Sequence, residues 1–277
     1  MIIRQLQPHD CFGAKALWQE VFHDTEPFAN FFFSHRFTPT LSFGVFDGDR
    51  LVSMALARRV RTAYPAYPAI LISGVSTLPA YRHRGLMTET VNRLLDNAKL
   101  RNYDLALLSP AIPDLYVPFG FRPLTYAIKV TEPAAEHPEI AETKNVSDLY
   151  PAYIHATLQH PFMLRRTVPE MRTALDEYTR DNGVFLLAPN RTGYLCFLPD
   201  GNGIEITECL ADSPAVYRAL LEAAASRAPS RLASALLPTD CAMSGTLCRP
   251  VHALALKDGI DLVSAANDRR TFCVEKY

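Results

Sequence analysis

Leu71-Ile-Ser-Gly-Val-Ser-Thr-Leu-Pro-Ala-Tyr-Arg-His-Arg-Gly-Leu-Met-Thr-Glu-Thr-Val-Asn-Arg-Leu-Leu95 is the stretch from which the rest of the chain can be read. It spells strand, turn and helix. Ala69 to Leu78 is apolar and β-branched, Pro79 ends the ladder because it has no N–H to donate, and Leu86, Met87, Val91, Leu94, Leu95 and Ala98 recur at helical spacing. Between strand and helix lies Arg82-His83-Arg84-Gly85-Leu86-Met87. A glycine there permits close backbone approach, and the first N–H groups of the helix lack intrahelical partners and carry the positive end of its dipole. Such a joint suits a phosphate. The alternative is a basic surface turn ahead of an amphipathic helix.

Outward from this joint the elements alternate. Met1 to Leu6 reads as a strand, and Pro8 opens a helix with the stripe Ala14, Leu17, Trp18, Val21 and Phe22. Phe28, Phe31, Phe32 and Phe33 crowd one short helical stretch and are expected in the core. Asp47-Gly48-Asp49-Arg50 turns a hairpin between Ser42–Phe46 and Leu51–Arg61, the second strand apolar on both faces and therefore central. Beyond the helix, Tyr103–Ser109 reads as a buried strand. Pro110–Pro113 ends it, and Leu124–Thr131 is the last strand of this half. A polar, proline-bearing linker follows, centred on 132–139 and extending to 144. The order then repeats: helices at 146–160 and 168–180, strands at 184–188, 194–198 and 204–210, a helix at 213–226 and a strand at 232–237. Residues 250–277 are expected to add the final strands of this second half.

Composition narrows the function. With 28 basic and 29 acidic residues the net charge of −1 offers no general attraction to nucleic acid or anionic lipid. Six cysteines, at 11, 196, 209, 241, 248 and 273, form no Cys-x-x-Cys pair and no zinc spacing, which favours buried thiols, a reducing compartment and no metal. The N-terminus lacks the apolar core of a signal peptide, and no run approaches the roughly 18 apolar residues of a membrane span. A cytoplasmic protein is the expectation.

The joint matches neither a Walker loop nor a Gly-x-Gly-x-x-Gly fingerprint. It resembles the acyl-CoA site of the GNAT superfamily of N-acyltransferases, in which Arg/Gln-x-x-Gly-x-Gly/Ala opens a helix and binds the pyrophosphate of coenzyme A. Arg82 and Gly85 fit, whereas Met87 stands where a small residue is usual. A second signature, Tyr116-Val-Pro-Phe-Gly-Phe121, follows in the family's order. The tandem order and basic turn resemble the aminoglycoside acetyltransferases of the enhanced intracellular survival type, without their sterol-carrier-like third domain. The resemblance implies an α/β (α+β) fold with a mixed, mainly antiparallel sheet flanked by helices. It implies a GNAT domain over 1–131, a linker over 132–144 and a degenerate GNAT-like unit over 145–277. The second joint, Cys209-Leu-Ala-Asp-Ser-Pro-Ala215, has no Arg-x-x-Gly, and Asp212 sets a negative charge where phosphate would sit.

The resemblance also implies roles. Acetyl-CoA is the cosubstrate and a small-molecule or peptidyl amine the acceptor. The joint residues Arg82, His83, Arg84, Gly85, Leu86 and Met87 hold the pyrophosphate, and main-chain groups of Val75 and Thr77 align the pantetheine and polarise the thioester. Ser109 either bonds the pantetheine or ends its strand. Tyr116 either protonates the departing thiolate or plugs a helix start. The general base stays open among His155, His160, Glu205, Glu208, Asp114 and the Tyr277 carboxylate. A second class is a non-catalytic acyl-CoA binder whose second half holds a partner. The acceptor and the oligomeric state are not legible.

Overall fold

The computed structural model describes residues 1–201, 203–239, 241–248 and 251–268. Its elements begin β1 (Ile2–Gln5), α1 (Cys11–Phe22), α2 (Glu26–His35), β2 (Phe43–Asp47), β3 (Arg50–Arg61), β4 (Pro68–Thr77), α3 (Leu86–Leu100), β5 (Leu105–Leu108) and β6 (Arg122–Pro123). They continue β7 (Ala127–Pro133), β8 (Ala141–Glu142), α4 (Val146–Gln159), α5 (Val168–Arg180), β9 (Val184–Leu187), β10 (Gly193–Asp200), β11 (Gly203–Ala211), α6 (Pro214–Ala225), β12 (Leu232–Leu237), β13 (Thr246–Cys248), β14 (His252–Ala255) and α7 (Leu262–Asn267). The fold is the expected mixed α/β, and among the described residues the strands pair antiparallel except β4 with β5.

The central hairpin forms where its turn predicts, and β3 is covered on both faces. Val52, Met54 and Leu56 pack with Trp18, Phe32 and Phe33, while Ala55 and Ala57 pack with Val91, Leu94 and Leu95 of α3. The Phe28–Phe33 stretch is α2, and Phe31, Phe32 and Phe33 are buried, as core residues should be.

The strand pairing crosses the boundary expected at 131/132. One sheet runs β1-β2-β3-β4-β5-β14-β6, and a three-stranded sheet runs β12-β7-β13. Thus β7, read as the last strand of the first half, lies between two strands of the second. Conversely β14, read as a final strand of the second half, lies between β5 and β6 of the first. The physical reason is burial on both sides. Ile128 and Val130 of β7 enter the core of Leu220, Leu221 and Leu237, whereas Val251 and Ala253 beside β5 enter the core of Leu105, Leu107 and Leu124. The stretch 132–144 is not a bare linker either, since it contains the end of β7 and the short β8.

Candidate active site

The first half is organised by a defect in β4. Ser73 pairs with Leu56 and Ser76 with Met54, so Gly74 and Val75 together oppose Ala55 alone. This one-residue bulge re-aims the backbone near the strand's end. A side chain at Gly74 would be strained: its φ is +56°, and a Cβ there would lie 2.4 Å from the Trp18 ring, which would have to shift. Ser53 locks the neighbouring backbone, donating to the Ser76 carbonyl at 3.2 Å and sharing a hydrogen bond of 2.8 Å with the Thr77 hydroxyl.

Beside the bulge, the sheet opens. β4 and β5 pair in parallel only through Ala69–Leu105, Ile70–Ala106 and Leu71–Leu107. From Ile72 onward β4 has no named strand on that side, which leaves main-chain groups for an extended ligand to meet. Val75 and Thr77 lie on this unpaired length. β14 runs along the far side of β5 and places buried His252 opposite Leu108, the residue before Ser109. Sequence reading missed this contribution because it assigned residues 250–277 to the second half.

The joint has the backbone an anion needs. Gly85 takes φ +75° and forms the N-cap of α3, with no side chain capping the helix, and a Cβ on it would meet nothing within 4 Å. The first N–H groups of α3 are therefore not claimed by a capping side chain. Arg82, His83 and Arg84 are exposed around it. Arg82 donates to the Thr77 carbonyl at 3.2 Å, while Arg84 donates to the Ala80 carbonyl at 2.9 Å and lies over the Tyr81 ring. Leu86 is buried, and Met87 does not obstruct the joint: its side chain packs against the core around Val91 and Leu94.

Tyr116 stands between two short 3₁₀ turns, Pro113–Leu115 and Val117–Phe119, rather than at the start of one helix. Pro113, Pro118 and Gly120 explain the interruption, since prolines suit only helix starts and Gly120, at φ +93°, reverses the chain. The ring packs edge-on to Phe121 at 6.1 Å and contacts the same core that Val75 and Met87 border. Burial pushes its phenol up to about 12. Among the described residues its hydroxyl has no hydrogen-bond partner. Bulge, helix start and Tyr116 are thus drawn around one core.

The base candidates fall elsewhere. Glu208 is buried in the second half, ion-paired with Arg166 and accepting from the Tyr194 hydroxyl at 2.6 Å, so both oxygens are committed. His155 is exposed on α4 and bonded to Gln159 at 2.7 Å, His160 is buried at the end of α4, and Glu205 is exposed on β11. Asp114 is exposed in the first 3₁₀ turn, and Tyr277 lies outside the described residues. Among the described residues no cluster of three or more His, Cys, Asp or Glu could hold a metal ion, and no helix is long and apolar enough to cross a membrane.

An opened sheet, a bulge beside the opening and an uncapped helix start lie around one core. Among known families, the one described as acetyltransferase (GNAT) domain matches residues 2–124, a little under half of the chain. An uncharacterized N-acetyltransferase of Streptomyces avermitilis is 36% identical over 83 residues, which span 29% of this chain and 20% of that protein. The matched stretch is thus about a fifth of that curated relative. Among solved structures, Eis1 from Mycobacterium abscessus superposes with a TM-score of 0.69 at 16% identity, covering 93% of this chain and 74% of that one. A GCN5-related N-acetyltransferase from Kribbella flavida gives 0.68 at 16%, covering 92% and 72%. These likenesses extend over both halves and establish the fold.

Proposed function

We propose that the protein is an acetyl-CoA-dependent N-acetyltransferase that moves an acetyl group to a primary amine by direct attack on the thioester. The observation that carries this reading is the Gly74–Val75 bulge, set where β4 parts from β5 and next to the uncapped start of α3. Coenzyme A fits the residues present: the amides at Gly85–Met87, with Arg82 and Arg84, hold its pyrophosphate, and the β4 backbone at Val75 and Thr77 accepts its amide-bearing arm. Ser109 follows β5, and in this reading its hydroxyl bonds that arm from the other side.

Bound there, acetyl-CoA supplies an activated acyl group. The chain's part is to orient the thioester, to set backbone donors of the bulge toward its carbonyl oxygen, and to manage protons. Attack by the neutral amine forms the C–N bond as the C–S bond breaks, and the departing sulfur needs a proton. Tyr116 holds that proton on its Oη. Burial raises its pKa to about 12, so the phenol is protonated throughout the neutral range. The nitrogen's extra proton passes to solvent.

Thiol release from acetyl-CoA across a panel of aminoglycosides, polyamines, amino acids and peptides tests the reading. Turnover on at least one amine is expected. Tyr116→Phe should then keep coenzyme affinity and melting temperature while turnover falls about 10²- to 10⁴-fold. Coenzyme binding without thiol release on any amine would leave a non-catalytic acyl-CoA binder instead.

A further inference from the structure

Between β7 and β8 the chain lies along α6 as a strap. β7 pairs with β12 as far as Pro133, β8 pairs with β9 from Ala141, and residues 134–140 between them belong to no named strand. The strap nevertheless covers core. Ile140 is buried, and Ile140 and Ala134 pack with the cluster that contains Leu186, Leu220 and Leu221. Three ion pairs tie this part of the chain to α6 and the residues just past it: Glu132 meets Arg218 at 3.8 Å, His137 meets Glu222 at 2.7 Å, and Glu142 meets Arg227 at 3.1 Å. The outer pairs each have a partner more than half exposed, where an ion pair contributes little. The middle pair is better shielded, with side chains 22% and 18% exposed.

His137 is engaged on both ring nitrogens. Its Nδ1 lies 2.9 Å from Glu139, across the turn that Pro138 enters, and its Nε2 lies 2.7 Å from Glu222 on α6. That turn is closed by Ile140 N, which donates to the His137 carbonyl at 3.0 Å. A neutral imidazole has one N–H to donate and would present a lone pair to the second carboxylate, whereas the imidazolium donates from both nitrogens. Two carboxylates on the two nitrogens therefore favour the charged ring. The hydrogen bond to Glu222 raises the His137 pKa, and Glu139 adds to it, over the opposing effect of partial burial. Arginines on the neighbouring elements have other carboxylates: Arg218 has Glu132, Arg227 has Glu142, and Arg191, which borders a groove with Glu139, has Asp148 at 3.0 Å. Glu136 and Lys144 are exposed on either side.

We infer that His137 is a proton-operated latch: its imidazolium, clamped between Glu139 and Glu222, holds the strap at 134–140 against α6, and loss of its proton releases the strap from the second-half core. The latch stands whether or not the proposed acetyl transfer holds. Because the His137 pKa is raised in the closed strap, the stabilisation is full below the ordinary histidine value near 6.5 and is lost as pH rises through the raised value.

Amide hydrogen exchange of the full chain, corrected for the intrinsic pH dependence of exchange, tests the latch. From about pH 5.5 to about pH 8.5 the protection of peptides spanning 134–140 should fall at least about threefold, while peptides from β10 keep theirs. His137→Gln cannot charge and should show the released level of protection at both ends of that range. Imidazole nitrogen shifts of the unaltered protein, followed by NMR, give a reading that does not depend on the variant folding: the His137 midpoint should lie above 6.5. Glu222→Gln should lower that midpoint. A midpoint at or below 6.5, protection of the strap that does not change with pH, or the same change in a folded His137→Gln would overturn the inference.

Discussion

The two halves of the chain build the same joint and give it different chemistry. In the first, β4 bulges at Gly74–Val75 and hands over, through Arg82-His83-Arg84-Gly85, to an uncapped α3. In the second, β11 also bulges, with one extra residue at Thr207 between the pairs Cys196–Glu208 and Phe197–Ile206, and also hands over to a helix with no side-chain cap. Yet Asp212 and Ser213 connect β11 directly to Pro214, with no basic turn and no glycine, and Asp212 N is spent on the Thr192 carbonyl at 3.0 Å. Pro214 removes another donor from the helix start. A repeated backbone therefore does not repeat an anion site. Among the described residues, the first joint combines an uncapped helix start with exposed basic side chains, and the second does not.

The halves are alike in a further way: each takes its inner strand from the other. The order β5-β14-β6 mirrors β12-β7-β13. Neither sheet is complete without the partner half, and this makes the largest prediction. Ala253 is buried and faces both Leu107 and Arg122, so Ala253→Pro should remove main-chain donation between two strands and cost about 3 kcal/mol or more, read as a fall in the urea midpoint with the first-half core lost. A midpoint unchanged by this substitution would mean that β14 is not part of the first sheet.

A contrast of two glycines sharpens the account of the joint. Gly74→Ala meets both a positive φ and the Trp18 ring, with an expected cost of about 2–4 kcal/mol. Gly85→Ala meets the positive φ in open space, with an expected cost of only about 1–2 kcal/mol. Equal losses in thermal or denaturant unfolding would show that crowding at Trp18 is not what holds the bulge.

The smallest effect is in pH. Because the Tyr116 phenol is raised to about 12, its proton stays in place across the assay range, and kcat at saturating substrates should not fall between pH 7 and 9.5. The same shift implies stability that is intact below the ordinary tyrosine value near 10 and is lost as pH rises toward 12. A descending kcat limb with an apparent pKa of about 8–9, assigned to Tyr116 by its absence in Tyr116→Phe, would contradict the proton-donor role.

Much of the first half was legible in sequence because each signal there is local. Pro79, Gly85 and the helical stripe from Leu86 to Ala98 mark strand end, cap and buried face within one stretch, and Asp47-Gly48 fixes the hairpin. The bulge was not legible, since Gly74 and Val75 look like any strand residues until their register against β3 is known. Strand exchange was hidden for the same reason: Ile128, Val130 and Ala253 show that a strand is buried, not which sheet buries it.

Coenzyme titration tests the central claim most directly, namely that the first joint alone is the pyrophosphate site. The unaltered chain should bind one coenzyme A. Gly85→Asp places a carboxylate at the N-cap of α3, where aspartate tolerates a positive φ better than most residues, so the fold should persist while the anion site is blocked. Affinity should then fall by at least about 100-fold, equivalent to roughly 2.7 kcal/mol, with unfolding still cooperative and the melting temperature lowered no more than in Gly85→Ala. Two coenzymes per chain, or unaltered affinity in a folded Gly85→Asp, would contradict the account.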